Sequence, residues 1–333
     1  MKEVEIVDIK FGYSCNNNCI YCVISGHREI LKRKNKPIDR TTEEIKELIK
    51  EAKNKGAVSV VFTGGETTIR KDFFELLKFA VNLNLHVSLQ TNGRMFCIGE
   101  FAEKTISIAP DMHFEIAIHS HLKEHHEKIT RVKGSFDQTI EGIKNLIKYG
   151  AKSLNFKVVI SRLNFKDLKG IVEMVSKFGI KQVDIAFPHG MGNALKYWFE
   201  VVPRYSEIKK YVIDCLRYGK KVGVKVTLEA IPFCFARGFE ECISELHYLK
   251  LFLEGKTSEL RQVGDPLMDW QKERLVIKAK ASQCRNCKYF YVCEGVWEEY
   301  LRLYGSDEFK PVEGKQIRGY EEIKELLKRA NLL

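Results

Sequence analysis

The sequence of 333 residues predicts an α/β fold, a partial (β/α)6 barrel that is TIM-like, with a smaller C-terminal domain. Two observations predict it. Strand-like and helix-like segments alternate over the first two-thirds of the chain, which is typical of a parallel sheet covered by helices. After about residue 230 the alternation stops and cysteines cluster instead. We therefore expect one domain at 1–230 and a second, with a C-terminal helix, at 231–333.

The strands are predicted from short runs rich in Val, Ile and Phe. They are expected at residues 4–11, 58–62, 86–90, 113–118, 154–160 and 182–187, with a further strand-like run at 222–229. Helices are predicted from apolar residues at three- and four-residue spacing. They are expected near 42–55, 71–84, 135–149, 165–178 and 205–220. Two helices begin with the pattern of a capping box, Thr41 with Glu44 and Ser135 with Gln138.

The composition is that of an ordinary globular protein, with 44% hydrophobic and 30% charged residues. No run of apolar residues is long enough to span a membrane. The first ten residues, MKEVEIVDIK, show a strand-like alternation and not the pattern of a targeting segment. We therefore expect a cytoplasmic protein without a membrane partner, whose thiols stay reduced.

The net charge of +11 favours an acidic or phosphorylated partner in principle. Many lysines, however, alternate with glutamates at helical spacing, as in KELIKEAKNK, which is typical of a solvated helix face. The chain contains no basic stripe interleaved with aromatic residues. We therefore do not expect nucleic acid as a partner.

Three cysteines follow the first predicted strand. Cys15, Cys19 and Cys22 have the spacing Cys-x3-Cys-x2-Cys in the run SCNNNCIYC. Three such thiolates can hold three corners of a [4Fe–4S] cube and leave the fourth iron without a protein ligand. Zinc is the alternative, with His27 as a fourth ligand. A disulfide does not fit an odd number of cysteines in a reducing compartment.

Polar and glycine-rich segments follow the next two strands. Gly64, Gly65 and Glu66 come after the second strand, and Thr91 and Asn92 end the third. The two glycines allow the backbone to approach a ligand closely, and a carboxylate beside them can meet an ammonium group. Because the carboxyl ends of barrel strands form one face, these residues are expected beside the cysteine loop, where active sites of barrels lie.

These motifs, in this order, resemble the core of the radical S-adenosylmethionine (SAM) superfamily. The resemblance implies a [4Fe–4S] cluster on the three cysteines, with SAM bound at its open iron. It also implies contacts to SAM from Tyr21 near the adenine and from the Gly64-Gly65-Glu66 turn at the amino group. Thr91, Asn92 and Gly93 form a Thr-Asn-Gly run that often lines the SAM pocket in the family, and Ser120 lies in a segment that resembles its fourth strand and loop. Based on position alone, Arg162 would also contact SAM, and Gly190 and Gly192 would pass the adenine. Thr67 stands where the family usually has a proline.

A second cysteine group, Cys284-x2-Cys287-x5-Cys293, resembles the auxiliary cluster domain called Twitch or SPASM. It implies a second [4Fe–4S] cluster. Cys234 is our choice for its fourth ligand because it follows a strand and a proline, and Cys242 is the runner-up. If neither binds, substrate would fill the open site. A structural zinc ion with Cys234 is the alternative for this group.

The resemblance implies reductive cleavage of SAM to a 5′-deoxyadenosyl radical, which abstracts hydrogen from a substrate. An external electron donor such as ferredoxin or flavodoxin would supply the electron. We favour modification of a peptide or protein. The alternatives are cofactor biosynthesis as in the molybdopterin-precursor cyclase, an iron–sulfur protein that does not bind SAM, and a zinc-stabilised nucleic-acid-binding module. The catalytic side chains, substrate, net reaction and oligomeric state are not predicted.

Overall fold

The computed structural model describes residues 3–264 and 268–333 and confirms the α/β class. The main sheet has nine strands in the order β7-β6-β5-β4-β3-β2-β1-β8-β9. Strands β1 to β8 run parallel, β9 runs antiparallel to β8, and β10 and β11 form a separate pair. The strands are β1 (Glu3–Lys10), β2 (Ser59–Thr63), β3 (His86–Thr91), β4 (His113–Ala117), β5 (Ser153–Val159), β6 (Gln182–Ala186), β7 (Lys225–Glu229), β8 (Lys256–Arg261), β9 (Met268–Asp269), β10 (Lys278–Ala279) and β11 (Val296–Trp297).

Helices connect these strands. Those of the first part are α1 (Ile24–Arg33), α2 (Thr42–Asn54), α3 (Phe73–Asn82), α4 (Gly99–Ile108), α5 (Lys123–Thr130), α6 (Ser135–Lys148), α7 (Leu168–Lys177), α8 (Gly192–Lys196), α9 (Trp198–Val201) and α10 (Tyr205–Val222). Those of the second part are α11 (Glu245–Leu253), α12 (Trp270–Ile277), α13 (Glu298–Tyr304) and α14 (Tyr320–Arg329). All seven predicted strands and all five predicted helices are present, with ends that differ by a few residues.

The strands bury one face against the helices. On β1, Val7 and Ile9 are fully buried, and so are Val60 and Phe62 on β2. The alternate residues of each strand point to the other side of the sheet. On β1 these include Asp8, so one side of the sheet is an apolar core and the other is a polar lumen.

Strand β8 was not predicted. Its sequence, KTSELR, is polar, although Thr257, Ser258 and Glu259 are buried. A polar run without apolar alternation carries no strand signal. Pairing with the edge of β1 determines this strand, so residues beyond 230 extend the sheet of the first part.

One predicted capping box is present and one is wrong. The Thr41 side chain accepts a bond from the Glu44 backbone, and Glu44 accepts one from the Thr41 backbone. Helix α6 instead begins after Gly134, whose φ of 82° sets the turn, so Ser135 lies inside the helix. The Ser135 hydroxyl is hydrogen-bonded to the Thr130 hydroxyl and does not cap the helix backbone.

Helices α11 and α12 lie between the two edge strands of the sheet, β7 and β9. The Ser244 backbone N–H, just before α11, donates to the Leu228 carbonyl of β7, and both helices pack against β8. On α12, the fully buried Arg274 donates to Glu294 at 2.8 Å and to Glu245 at 3.2 Å. Buried charges require such partners, so this cluster fixes the two helices between these strands.

The helices among the described residues are each too short or too polar to cross a membrane.

Candidate functional site

The cysteine loop lies at the carboxyl end of β1, and its three thiols are half-buried. Burial raises the pKa of Cys15 to about 11 and also raises the pKa of Cys19 and Cys22. The pKa of Cys19 rises further because Cys22 and Cys15 are near it. The three thiols therefore form one group, and binding of iron by this group would displace their protons.

Two other segments hold the cysteine loop in place. The backbone N–H groups of Asn18 and Ile20 donate to carbonyls at the end of α5, at 3.0 and 2.9 Å. From α8, the Asn193 side chain donates to the Cys19 carbonyl at 2.9 Å and its backbone donates to the Cys22 carbonyl at 3.0 Å. A Cβ at Gly192 would overlap the Cys22 carbonyl oxygen. Gly192 is thus needed for contact with this loop, and the adenine contact expected of it stays a prediction.

The glycine turn after β2 packs directly on the strand end that precedes Cys15. The Gly65 N–H donates to the Gly12 carbonyl and the Glu66 N–H to the Ser14 carbonyl, each at 2.8 Å. A Cβ at Gly65 would overlap the Ser14 carbonyl oxygen, and Gly64 has a φ of +137°. Only glycine meets both demands, so the two glycines bring this turn against the cysteine loop.

The buried Glu66 carboxylate joins the turn to the end of β3. Its Oε1 accepts bonds from the Thr68 hydroxyl at 2.6 Å and the Thr91 hydroxyl at 2.8 Å, and its Oε2 accepts from the Asn92 N–H at 2.7 Å. Burial raises the pKa of this carboxyl, and the donors oppose the rise. In this structure both oxygens therefore serve protein donors, which fixes Thr91 and Asn92 beside the turn.

Side chains that the sequence did not single out complete this network. The Asn92 amide donates to the Asn16 side chain at 2.6 Å, and Arg94 donates to the Asn17 side chain at 2.9 Å. Asn16 and Asn17 lie between Cys15 and Cys19. The predicted turn, the end of β3 and the cysteine loop are therefore one hydrogen-bonded unit. The repeated Asn in SCNNNC was the available signal.

Tyr21 packs beside the loop, where its hydroxyl is hydrogen-bonded to the His119 Nε2 at 2.6 Å. The two rings meet edge to face with centroids 5.1 Å apart. Burial, and then the nearby His126, hold the pKa of His119 well below its usual value, so its ring is neutral. A neutral ring can share a hydrogen bond with a phenol, which orients Tyr21.

Ser120 and Arg162 each bond to a charged side chain. The fully buried Ser120 hydroxyl donates to Asp167 at 2.6 Å. Arg162 donates to Glu207 of α10 at 2.7 Å. Each side chain has a charged partner within the protein, and the SAM contacts expected of the two residues stay predictions.

Charged side chains fill the lumen beside this unit. The Lys157 ammonium donates to Glu229 at 2.5 Å and is the main cause that lowers the pKa of Glu229 to about 2. Burial raises the pKa of Glu115 to about 7 and that of Asp8 to about 6, although Lys157 and Lys10 respectively oppose these shifts. The sequence contained a signal for them, because charged residues at alternate positions of buried parallel strands are unusual.

The second cysteine group lies around one void. Cys234, Cys284, Cys287 and Cys293 all line it, together with apolar side chains that include Phe233 and Phe309. Burial raises the pKa of Cys234, and its three cysteine neighbours add to the rise. Cys242 is absent from this lining.

A single zinc ion holds its sulfur ligands about 2.3 Å away, so they lie close to one another. Across residues 3–264 and 268–333, no three His, Cys, Asp or Glu side chains are arranged to bind one metal ion. Ligands of an iron–sulfur cube bind different iron atoms and stand farther apart.

Comparison with known proteins places these observations in a family. The model of the Radical SAM superfamily matches residues 9–175. Among curated proteins, one named Probable GTP 3′,8-cyclase from Saccharolobus islandicus is 30% identical over 215 residues. This match covers 63% of the chain and 65% of that relative, so the chain spans less than two thirds of its length. A protein of the same name from Thermococcus kodakarensis is 27% identical over 62% of the chain and 66% of that relative.

Solved structures with low sequence identity share the fold. Native anSMEcpe with bound AdoMet superimposes with a TM-score of 0.63 at 16% identity, over 98% of each chain. SuiB of Streptococcus suis bound to precursor peptide SuiA gives a TM-score of 0.60 at 15% identity, over 92% of this chain and 74% of that one. These likenesses establish the partial barrel fold.

Proposed function

Because the chain belongs to the radical SAM superfamily, and is therefore an enzyme, we propose that Cys15, Cys19 and Cys22 bind its [4Fe–4S] cluster. When bound, the cluster and SAM supply a 5′-deoxyadenosyl radical that abstracts a hydrogen atom from substrate. The observation that carries this proposal is the hydrogen-bonded unit of cysteine loop, glycine turn and β3 end. It fixes three thiols beside a backbone that can approach a ligand closely.

The surrounding residues would hold SAM in this unit. Gly64 and Gly65 would present their backbone to its amino group, and Tyr21 would pack near its adenine. Thr91 and Asn92 would line the pocket from β3, where Glu66 orients both. Ser120 and Arg162 would also contact SAM, beside their bonds to Asp167 and Glu207.

We also propose a second [4Fe–4S] cluster, in a Twitch- or SPASM-like domain at 231–333. Its ligands would be Cys234, Cys284, Cys287 and Cys293, which line one void. Cys234 is supported as the fourth ligand because it lines the void and Cys242 does not.

The substrate site would be the lumen between the two cysteine groups. Lys157 and Glu229 lie on its wall, and His189 stacks on Trp297 of β11 at 4.0 Å above the end of β6. Burial and then the Lys278 charge lower the pKa of His189 to about 4, so its ring is neutral. The lumen thus joins barrel residues to residues of the second cysteine segment.

The charge of the lumen supports a peptide or protein substrate over a nucleotide. Its carboxylates outnumber its cations. Asp8, Glu115, Asp184 and Glu229 lie near Lys10 and Lys157, and Arg274 and Lys278, which also act on Glu229, pair with Glu245 and Glu294. A triphosphate would meet net repulsion there. The relatives named GTP 3′,8-cyclase support the other candidate, a cyclase acting on a nucleotide.

The first experiment measures iron and zinc after anaerobic reconstitution. We expect about eight irons in the native chain and about four when Cys15, Cys19 and Cys22 are all changed to Ala. Cys234→Ser should lower the iron content, whereas the matched Cys242→Ser should keep it at the native value. If Cys234→Ser kept the native iron content, Cys234 would be rejected as the fourth ligand of the second cluster. If the reconstituted protein retained zinc, the second cluster itself would be rejected.

The second experiment tests the reaction. Reduced native protein with SAM should release 5′-deoxyadenosine, and the triple Cys→Ala variant should release none. Addition of GTP should not increase this release or consume GTP. Conversion of GTP would establish the cyclase candidate and reject the peptide candidate.

A further inference from the structure

The turn that follows β7 contains an alanine in an unfavourable backbone conformation. Ala230 has a φ of +55°, in the left-handed region that residues other than glycine, asparagine and aspartate rarely adopt. Asn35, Asn84 and Asn331 also have positive φ values, but an asparagine side chain tolerates this region. The Ala230 methyl group offers no such compensation, and the residue is buried. The surrounding protein must therefore hold this turn in its conformation.

Two buried side chains bond to the backbone of Ala230. The carboxylate of Glu245, the first residue of α11, accepts a hydrogen bond from the Ala230 N–H at 2.7 Å. The hydroxyl of Tyr205, the first residue of α10, donates to the Ala230 carbonyl at 2.7 Å. Both polar backbone groups of this residue thus have a partner on a different helix, which is how a strained conformation is maintained.

A network of buried ion pairs fixes the Glu245 side chain. Its Oε1 also accepts from the Lys278 ammonium at 2.7 Å and from the Arg274 guanidinium at 3.2 Å. The same two cations donate to Glu294, Lys278 at 2.5 Å and Arg274 at 2.8 Å. Both cationic side chains are fully buried, so each needs these carboxylates as partners. The network therefore joins Glu245 to Glu294.

This network connects the two chain segments that carry Cys234 and Cys293. Glu294 directly follows Cys293, and Ala230 begins the run AIPFC, which ends at Cys234. Burial raises the pKa of Cys293 to about 11, and a hydrogen bond from the Phe233 backbone is among the causes that oppose the rise. The residue before Cys234 is therefore next to the Cys293 sulfur. The direction in which the chain leaves the turn at Ala230 thus decides whether Cys234 reaches the void that Cys293 also lines.

We propose that Glu245 and Tyr205 are positioning residues for the second cluster. They keep the turn at Ala230 left-handed, and this turn places Cys234 beside Cys293. The proposal rests on the function proposed above, because it requires a cluster on these thiols. The described residues that line the void include neither positioning side chain, so both act through the backbone. Relaxation of the turn to a negative φ would withdraw one ligand, and the cluster would then lose iron more readily.

The test measures the rate at which a chelator removes iron from the reconstituted full chain. The triple Cys→Ala chain is the parent, because it holds the second cluster alone. Tyr205→Phe removes the hydroxyl bond to the Ala230 carbonyl and keeps the aromatic ring. The matched control is Tyr304→Phe, which removes a hydroxyl bond of the same length, 2.7 Å, to the Val202 carbonyl.

We expect Tyr205→Phe to release iron about fivefold faster than the parent, because loss of one buried hydrogen bond changes an equilibrium by about that factor. The control should release iron at the parent rate. Addition of Ala230→Gly to Tyr205→Phe should bring the rate back to within about twofold of the parent, because glycine adopts a positive φ without steric cost. Ala230→Gly alone should leave the parent rate unchanged, since the two bonds already hold the turn.

Glu245→Gln tests the second positioning residue. It should speed iron release by about tenfold, because it weakens the bond to Ala230 and also leaves two buried cations with one carboxylate. Ala230→Gly should restore this variant only in part, because glycine relieves the turn and not the unpaired charge. A parent rate in Glu245→Gln would remove Glu245 from the proposal.

An unchanged rate in Tyr205→Phe, an equal rise in the control, or no restoration by Ala230→Gly would overturn the positioning role. A general loss of stability predicts a different result, since the first cluster would also release iron faster in Tyr205→Phe. This is measured in the full chain whose Cys284, Cys287 and Cys293 are changed to Ala, and we expect no change there.

The iron content of the native chain separates this proposal from the proposed function. If the native chain held about four irons and the triple Cys→Ala chain held none, the second cluster would be rejected and the positioning role with it. If the native chain held about eight irons while Tyr205→Phe and Glu245→Gln kept the parent rate, only the positioning role would fail.

Discussion

Replacing Lys157 with Met tests the electrostatics of the lumen. The Lys157 ammonium lies 2.5 Å from Glu229 and is the main reason that the pKa of this carboxyl falls from its ordinary value of 4.5 to about 2. One pKa unit corresponds to about 1.4 kcal/mol, so the whole lowering corresponds to about 3 kcal/mol of stability at pH 7. Arg274 and Lys278 also contribute to it. We therefore expect Lys157→Met to cost about 2 kcal/mol.

The pH dependence provides an independent check of sign. The folded pKa of Glu229 is lowered, so the stability from this pair is complete above pH 4.5 and is lost as the pH falls towards 2. The cost of Lys157→Met should therefore be the same at pH 7 and pH 5.5, and smaller by roughly 1 kcal/mol at pH 4. Equilibrium urea unfolding of the full chain in reducing buffer measures it.

The matched variants are Glu229→Gln and the double variant. Removal of either partner leaves the other charge buried, whereas removal of both does not. The double variant should therefore cost less than the sum of the two single variants, by about 2 kcal/mol. A Lys157→Met variant within about 0.5 kcal/mol of the native chain at pH 7, or additive single variants, would refute this reasoning.

Three other predictions concern the loop and the lumen. Gly65→Ala should lower the iron content by about four, because its Cβ would overlap the Ser14 carbonyl oxygen. The control Gly319→Ala should keep the native iron content, because its Cβ would meet no atom closer than 3.5 Å. Equal iron content in the two variants would reject the argument that Gly65 is needed for close approach. Asn193→Ala should speed loss of iron to a chelator, since it removes the bond to the Cys19 carbonyl, and an unchanged rate would count against that bond. Glu115→Gln should raise the melting temperature at pH 8 and leave it unchanged at pH 4. The reason is that a carboxyl whose pKa is raised to about 7 in the fold destabilises the fold once it ionises. An equal rise in melting temperature at both pH values would contradict this reasoning.

Local patterns in the sequence predicted much of the fold. Periodicity located the seven strands and five helices, because each is set by the burial of its own side chains. Strand β8 was missed, since its polar residues are held by pairing with β1 and not by their own pattern. The capping box predicted at Ser135 was wrong because the N-cap of this helix is Gly134, one residue earlier than the Ser135 and Gln138 pattern indicated.

The candidate site divides in the same way. The spacing of Cys15, Cys19 and Cys22 and the two glycines after β2 are close in sequence, so they could be recognised from it. The choice between Cys234 and Cys242 depends on which thiol reaches the void formed with Cys284, and sequence distance carries no such information. Likewise, only the folded chain shows that Ser120 bonds Asp167.

The sequence by itself determined the alternation that builds a parallel sheet and the cysteine and glycine motifs that identify the family. The tertiary structure decided the polar lumen and the grouping of Cys234 with the later cysteines. The physical reason is range. A motif depends on neighbours along the chain, whereas a charge pair such as Lys157 with Glu229 forms only when strands far apart in sequence meet across the lumen.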